Sequence, residues 1–248
     1  MKKTIQIISL IFFFLLCSGS AYALPVIDGI FNASEWNGNL FSEDNASGTT
    51  NTYLGPGWGG QYYDVEFLGL FISDTTVYFG LQTGFDIVNG SSQFTNALLG
   101  AGNFAISIDG NDNSYEYGVS LSGLTPASTN LDVHKVDTWN DVKYNAHNSA
   151  GPFSINSSTT VGSSSVAYGV SFDGTDRHYV LEGSFDLGLF GSDYTGTELA
   201  IKWTMECGND FGLVTASPAP VPEPATLLLL GIGLLGFSSI KRKKTSEQ

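Results

Sequence analysis

The chain has 248 residues, and its 24 acidic and ten basic residues give a formal net charge of −14 at pH 7. Aromatic residues make up 13% of the chain, glycines number 30, and only 14% of residues are charged, a composition that favours an all-β protein over a helical one. The acidic balance excludes a protein that binds nucleic acid or anionic lipid through a basic surface.

The N-terminus has the pattern of an export signal. Lys2 and Lys3 form a positive start, residues 5–16 form an apolar core, and residues 21–23 (AYA) form a small-residue cleavage site. This order is typical of a secretory signal peptide. We therefore predict a signal peptide over residues 1–23.

The acidic residues are concentrated in the middle of the chain. Residues 24–221 contain four basic and 22 acidic residues, which gives this part a net formal charge of −18. Such a surface suits divalent cations, neutral or basic polysaccharide, or simple solubility outside the cell. Cys207 is the only cysteine of this part, which excludes an internal disulfide and favours a buried apolar role for its side chain.

Alternation of apolar and polar residues predicts antiparallel strands in a body that spans residues 24–214. The predicted hairpins pair residues 63–72 with 76–83, 103–109 with 115–121, and 165–172 with 178–186, and a last strand covers 198–206. Strands at this spacing, separated by Gly, Asn and Asp turns, predict a jelly-roll-like antiparallel β-sandwich. Two polar stretches, residues 122–130 and 148–164, are expected to be loops on its rim.

The C-terminal end begins with a predicted extended linker over residues 215–220 (TASPAP). A Pro-Glu-Pro tripeptide, an apolar run over residues 225–240 and four basic residues follow in that order. As a helix the run spans about 24 Å, less than the ~30 Å hydrocarbon core, and long basic side chains can reach the interface to cover the difference. The C-terminal position of the basic residues predicts a cytoplasmic tail and an exported body.

This C-terminal segment, residues 221–244, resembles the PEP-CTERM sorting signal of Gram-negative, exopolysaccharide-producing bacteria. The residues that carry the resemblance, around a Leu/Gly-rich run, are Val221, Pro222, Glu223, Pro224, Lys241, Arg242, Lys243 and Lys244. The resemblance implies recognition by an exosortase, a membrane protease-transpeptidase that cuts near the tripeptide. It implies a transient membrane anchor, followed by delivery to the outer surface or the extracellular matrix. An ordinary C-terminal membrane anchor is the alternative.

A second resemblance concerns the body. Residues 26–29 (VIDG) and 33–36 (ASEW), followed by residues 76–80 (TVYFG) and 179–187, are similar to motifs of family 9-type carbohydrate-binding modules. The resemblance implies a β-sandwich that binds sugars and often carries structural calcium.

The turn of the second predicted hairpin is a candidate calcium site, because calcium takes six to eight oxygen ligands and this turn is rich in them. The candidate ligands are Asp109, Asn111, Asn113 and Glu116. Asp28 and Glu35 form a second candidate pair. A solvated hairpin turn is the alternative, since Asn, Asp and Gly also favour turns.

Aromatic side chains on polar or Gly-rich stretches are candidates for stacking on sugar rings. Trp58 lies between two glycines and is the first candidate, and the others are Tyr53, Tyr62 and Trp139. Trp36 and Trp203 lie in strand-like contexts, so we expect them in the core.

The sequence contains neither an H-E-x-x-H nor a G-x-S-x-G motif, so we predict no enzymatic activity. We expect a surface or matrix protein that binds or organises exopolysaccharide or another glycan. The alternatives are an extracellular hydrolase of matrix polymer and a structural coat protein with no small ligand.

Overall fold

The computed structural model describes residues 23–36, 39–42, 60–73, 75–92, 96–111, 113–143, 150–196 and 198–219. Residues 1–22 of the predicted signal peptide, the sorting segment 221–244, and the candidates Tyr53 and Trp58 lie outside these ranges. None of the helices within these ranges has the length and apolarity that a membrane span requires.

The protein is all-β, as predicted, and every strand pairing is antiparallel. The strands are β1 (Leu40–Ser42), β2 (Val65–Ser73), β3 (Thr76–Thr83), β4 (Phe104–Ser107), β5 (Tyr117–Val119), β6 (Asn130–Asn140), β7 (Ser154–Phe172), β8 (Arg177–Asp186), β9 (Leu199–Thr204) and β10 (Phe211–Ala216). Short 3-10 helices cover Ala33–Trp36, Gly60–Tyr63 and Leu187–Asp193.

The described strands form one ten-stranded sheet rather than the two separate sheets of the predicted sandwich, in the order β1-β2-β3-β8-β7-β6-β5-β4-β9-β10. Strand β7 explains the continuity, because it is 19 residues long. Its first part pairs with β6 and its last part pairs with β8. The first half of the sheet consists of β1, β2, β3 and β8, and the second half consists of β6, β5, β4, β9 and β10. Both halves pair with β7 and enclose a single core between them. The result is a nearly barrel-like form of the sandwich.

The two ends of the sheet come together at a seam between β2 and β10. The Val65 N–H donates to the Asp210 carboxylate at 2.7 Å, and the Ala219 N–H donates to the Ile72 carbonyl at 2.9 Å. A Cβ on Gly212 would lie 3.0 Å from the Leu68 side chain, so β10 lies directly beside β2. These contacts bring the two ends of the curled sheet into packing contact.

Three sequence predictions need correction. The strand predicted over residues 198–206 is not the last one, since β10 follows it. The predicted rim loop over residues 148–164 is wrong for residues 154–164, which belong to β7. The predicted linker over residues 215–220 is wrong at its start, since Thr215 and Ala216 end β10 and Ala216 is buried. In these last two segments the short polar or small side chains give no strand pattern in the sequence, although the backbone pairs with β6 and β9 there.

The core confirms the predicted positions of two tryptophans. Trp36 and Trp203 are both completely buried, and Cys207 is also buried, as expected for a small apolar residue. Phe79 packs against Phe104 with ring centroids 4.9 Å apart, which joins the two halves of the sheet across the core.

The outer face of the first half of the sheet is covered by the N-terminal segment. The Trp36 ring lies over Gly69 and Gly80, where an added Cβ would approach the ring to 2.3 and 2.4 Å. Phe31 stacks with Trp36, with centroids 5.5 Å apart, and also lies close to Gly80. Glycines at these two paired strand positions therefore make room for the tryptophan.

The remaining residues of the N-terminal motif hold this segment in place. Glu182, which is completely buried, accepts the N–H groups of Asp28 and Gly29 at 3.2 and 3.0 Å. Glu35 accepts the Val26 N–H at 3.0 Å. In this structure the Asp-Gly and Glu-Trp pairs thus fasten the N-terminal segment to the sheet.

Candidate functional site

The outer face of the second half of the sheet carries an open groove of about 510 Å³. We call it the aromatic groove and define it by three rings, Tyr115, Trp139 and Phe211, which supply its apolar surface. Its polar side chains are Asn113, Asn140, Asp141 and Lys202. The groove therefore combines flat apolar surfaces with convergent hydrogen-bonding groups, the composition of small-molecule and sugar sites.

The strand register brings the sides of the groove together. Lys202 of β9 pairs with Ala105 of β4, and Ala105 pairs with Gly118 of β5. Gly118 leaves room above the sheet that the Trp139 ring occupies, and the ring and Lys202 line the same groove. This arrangement depends on positions that pair only after folding.

Trp139 is held in a fixed orientation. Its ring lies over Gly118, where an added Cβ would approach the ring to 2.7 Å. Its Nε1–H donates to the Tyr115 carbonyl at 2.8 Å. The ring is half-buried, so it keeps accessible surface while its position is fixed by a hydrogen bond and by backbone contact.

Lys202 forms the other side of the groove, and it is almost completely buried. Its ammonium donates to the Gly151 carbonyl at 2.5 Å and lies 4.6 Å from the centroid of the Phe211 ring. The first contact fastens the segment that begins at Gly151 to the sheet. The second is a cation–π contact that fixes the phenylalanine ring.

The predicted calcium ligands lie in a turn in which their oxygens accept local hydrogen bonds. Asp109 accepts from the Ser107 hydroxyl at 2.8 Å and from the Asn111 N–H at 3.0 Å, and these bonds hold its pKa below the ordinary value. Asn111 accepts the Asn113 N–H at 3.0 Å, and Glu116 accepts from Ser114 and from the backbone.

Among the described residues, no group of three or more His, Cys, Asp or Glu side chains is placed to hold a metal ion. Asp112, which belongs to the same turn as Asp109, lies outside the described residues. The other candidate pair is engaged with backbone, since Asp28 accepts the Ile30 N–H at 2.9 Å and Glu35 accepts that of Val26. The calcium site stays a prediction.

The predicted sugar-binding residues do not all meet in one place. Trp139 lies in the aromatic groove together with Asn113, which the sequence suggested as a metal ligand. Tyr62 is 52% exposed and lines a different cavity. Tyr53 and Trp58 lie outside the described residues.

Sequence reasoning missed five residues of the aromatic groove: Tyr115, Asn140, Asp141, Lys202 and Phe211. Lys202 gave one signal, since it is the only basic residue within an otherwise apolar strand, LAIKWT. A charged residue at such a position is usually paired or functional. Tyr115 and Phe211 gave none, because each lies just beyond a turn and their proximity depends on the sheet order.

Comparison with known proteins gives one match, at the C-terminus. The PEP-CTERM protein-sorting motif matches residues 220–243, which confirms the interpretation of the tripeptide, apolar run and basic residues. No curated protein and no solved structure matches the chain. The similarity of the body to family 9-type carbohydrate-binding modules therefore has no support from a relative.

The fold and the motif together define a class of protein: an all-β body followed by a C-terminal sorting signal. The motif supports an exported protein that is targeted to an exosortase, with a transient C-terminal anchor before cleavage.

Proposed function

We propose that this protein is delivered to the outer surface or the extracellular matrix and there binds a neutral polysaccharide in the aromatic groove, without catalysing a reaction. The sorting motif at residues 220–243 supports the destination. The exopolysaccharide of the producing cell is the natural partner at that destination.

The fixed Trp139 ring is the observation that carries the proposal. A sugar ring has one or two faces of C–H groups and an edge of hydroxyls, so it is recognised by an aromatic face with polar groups beside it. Asn140 and Asp141 follow Trp139 directly and line the same groove. Since the Tyr115 hydrogen bond already fixes the ring, binding loses little side-chain entropy.

Charge decides which polysaccharide fits. The exported part carries a net formal charge of −18, which repels polymers rich in carboxylate or sulfate. In the groove itself, Lys202 already donates to Gly151 and contacts the Phe211 ring. The charge therefore excludes acidic glycans, and among the neutral and basic ones the proposal commits to neutral glycans.

Affinity electrophoresis in gels that contain soluble hydroxyethylcellulose, xylan, dextran or glucomannan tests the proposal. At least one polymer should retard the wild-type body, and Trp139→Ala should weaken that binding by about tenfold or more, equivalent to about 1.4 kcal/mol. Ile30→Ala, at a side chain 70% exposed outside the groove, is the matched control and should behave as wild type. Equal retardation of Trp139→Ala and wild type would remove the groove from the function.

The same polymers also test the absence of catalysis. Prolonged incubation with the body is expected to release no reducing ends. Release that depends on a single carboxylate would favour the extracellular hydrolase instead.

A further inference from the structure

A second cavity, of about 530 Å³, lies at the end of the sheet where β7 turns into β8. We call it the hairpin cleft and define it by Gln61, Tyr62, Asp86, Phe172, Arg177 and Tyr179. It shares no lining residue with the aromatic groove.

Two exposed aromatic side chains flank the hairpin cleft. Tyr62 is 52% exposed and Phe172 is 65% exposed. They are two of the seven large apolar side chains most exposed among the described residues, and both line this one cavity. A large apolar side chain left in water forgoes the free energy of its burial, so a ligand that covers these rings would recover it.

The wall between the two rings is polar and fixed. The Tyr179 hydroxyl interacts with both Arg177 and Asp86, and burial together with Asp86 raises the pKa of this tyrosine despite the hydrogen bond from Arg177. Asp86 is itself fixed, because its carboxylate accepts the N–H groups of Val88 and Asn89 at 3.1 and 2.9 Å. The cleft therefore presents oriented donors and acceptors before any ligand arrives.

Gln61 gives the wall of the cleft a side chain with a fixed orientation. Its Nε2 donates to Glu66, a completely buried carboxylate that also accepts from Gln82 at 2.6 Å and contacts His178 Nδ1 at 2.7 Å. Since the amide nitrogen must face Glu66, the orientation of Gln61 is settled. Its Oε1 is buried and has no hydrogen-bond partner among the described residues.

From this geometry we propose that the hairpin cleft is a second binding site for a neutral glycan chain. The inference rests on the proposed function, because it assigns the same ligand class to a second place on the body. Each molecule then holds two chains at once and cross-links the polysaccharide. In a matrix, cross-linking of this kind converts modest site affinities into strong retention.

Calorimetry and light scattering on the body test the inference. Cellopentaose, xylopentaose, isomaltopentaose and mannopentaose are titrated into wild type, Trp139→Ala, Phe172→Ala and the double variant. The bound pentasaccharide should show about two sites on wild type, one on each single variant and none on the double variant. The parent polymer should scatter more light with wild type than with either single variant, since only wild type joins two chains.

The outcomes separate the two proposals. A single site that Trp139→Ala abolishes and Phe172→Ala leaves intact would overturn the inference and keep the proposed function. A single site that only Phe172→Ala abolishes would keep the hairpin cleft and overturn the role of the aromatic groove. If wild type binds none of the pentasaccharides or polymers, both proposals fail. Tyr62→Ala should repeat the loss seen with Phe172→Ala, and both side chains are exposed, so misfolding is not expected to imitate the result.

Discussion

Replacing Glu182 by glutamine should stabilise the body at neutral and alkaline pH. The carboxyl is completely buried beneath the N-terminal segment, and its Oε1 has no hydrogen-bond partner among the described residues. Burial, and then the charges of Asp28 and Glu35, raise its pKa to about 7 against the lowering effect of the Asp28 and Gly29 N–H groups. The folded protein therefore holds a proton that the unfolded chain releases.

The sign and size of the effect follow from this difference. In the unfolded chain the carboxyl ionises near 4.5, and in the folded body near 7. Stability from this group is thus unaffected below about pH 4.5, falls as the pH rises to about 7, and stays low above it. A difference of that size in pKa corresponds to about 3 kcal/mol at most. The glutamine side chain keeps one oxygen that can accept the N–H groups of Asp28 and Gly29. We therefore expect most, but not all, of this difference to appear as a gain in stability, roughly 2 kcal/mol at pH 8.

Urea denaturation of the body at pH 4.5 and pH 8, followed by circular dichroism, measures this gain. Glu182→Gln should match wild type within about 0.5 kcal/mol at pH 4.5 and exceed it by roughly 2 kcal/mol at pH 8. Glu198→Gln, at an exposed carboxylate, is the matched control and should show no such pH-dependent difference. A Glu182→Gln variant that differs from wild type by the same amount at both pH values would refute the reasoning.

Three further predictions concern other parts of the chain. Trp36→Ala should lower the free energy of unfolding by about 3–5 kcal/mol, because the ring is completely buried over Gly69 and Gly80. A loss under about 1 kcal/mol, measured by urea denaturation, would contradict this packing. Burial lowers the pKa of His178, but Glu66 and Asp173 outweigh burial and raise the pKa above 6.5. The stability that this group contributes is therefore present below about pH 6.5 and is lost as the pH rises through the pKa of the folded state. His178→Gln should therefore remove that part of the wild-type loss above pH 6.5, and an unchanged slope of stability with pH would count against the His178–Glu66 pair. Mass spectrometry of the protein recovered from cells with an exosortase should find a new C-terminus near the tripeptide, residues 222–224, and recovery of intact residues 225–248 from the cell surface would contradict processing.

The sequence predicted the elements whose pattern is local. Strand β3 begins and ends at the predicted residues, and β2 and β8 differ from their predicted bounds by one or two residues at most. These strands are largely buried on both faces, which requires short apolar runs bounded by turn residues, a pattern that can be read from sequence.

Elements with two polar faces could not be predicted in this way. Strand β6 and the first part of β7 pair with each other over Asn130–Asn140 and Ser154–Ser165, and most of their side chains are exposed or half-buried. In β6 the apolar alternation is limited to Leu131 and Val133, which are buried, and the first part of β7 consists mainly of serines and threonines, so the sequence resembles that of a loop.

The aromatic groove was predictable only in part. Trp139 could be selected as an aromatic residue in a polar stretch, but its neighbour across the groove, Phe211, is 72 residues away in the sequence. The position of the Trp139 ring depends on the room above Gly118, and the place of Gly118 between β4 and β6 follows from the order of strands in the sheet. That order results from contacts across the whole body and has no local signal.

Tryptophan fluorescence during titration with polysaccharide tests the proposed glycan site most directly. Trp36 and Trp203 are completely buried, so in a Trp58→Phe variant Trp139 is the tryptophan that a ligand can reach. Addition of the polymer that retards the body should shift the emission of this variant to shorter wavelength and saturate, as the ring leaves water. The further change Trp139→Phe should abolish the shift, whereas a shift that persists without Trp139, or bound polymer with no shift at all, would contradict a glycan stacked on this ring.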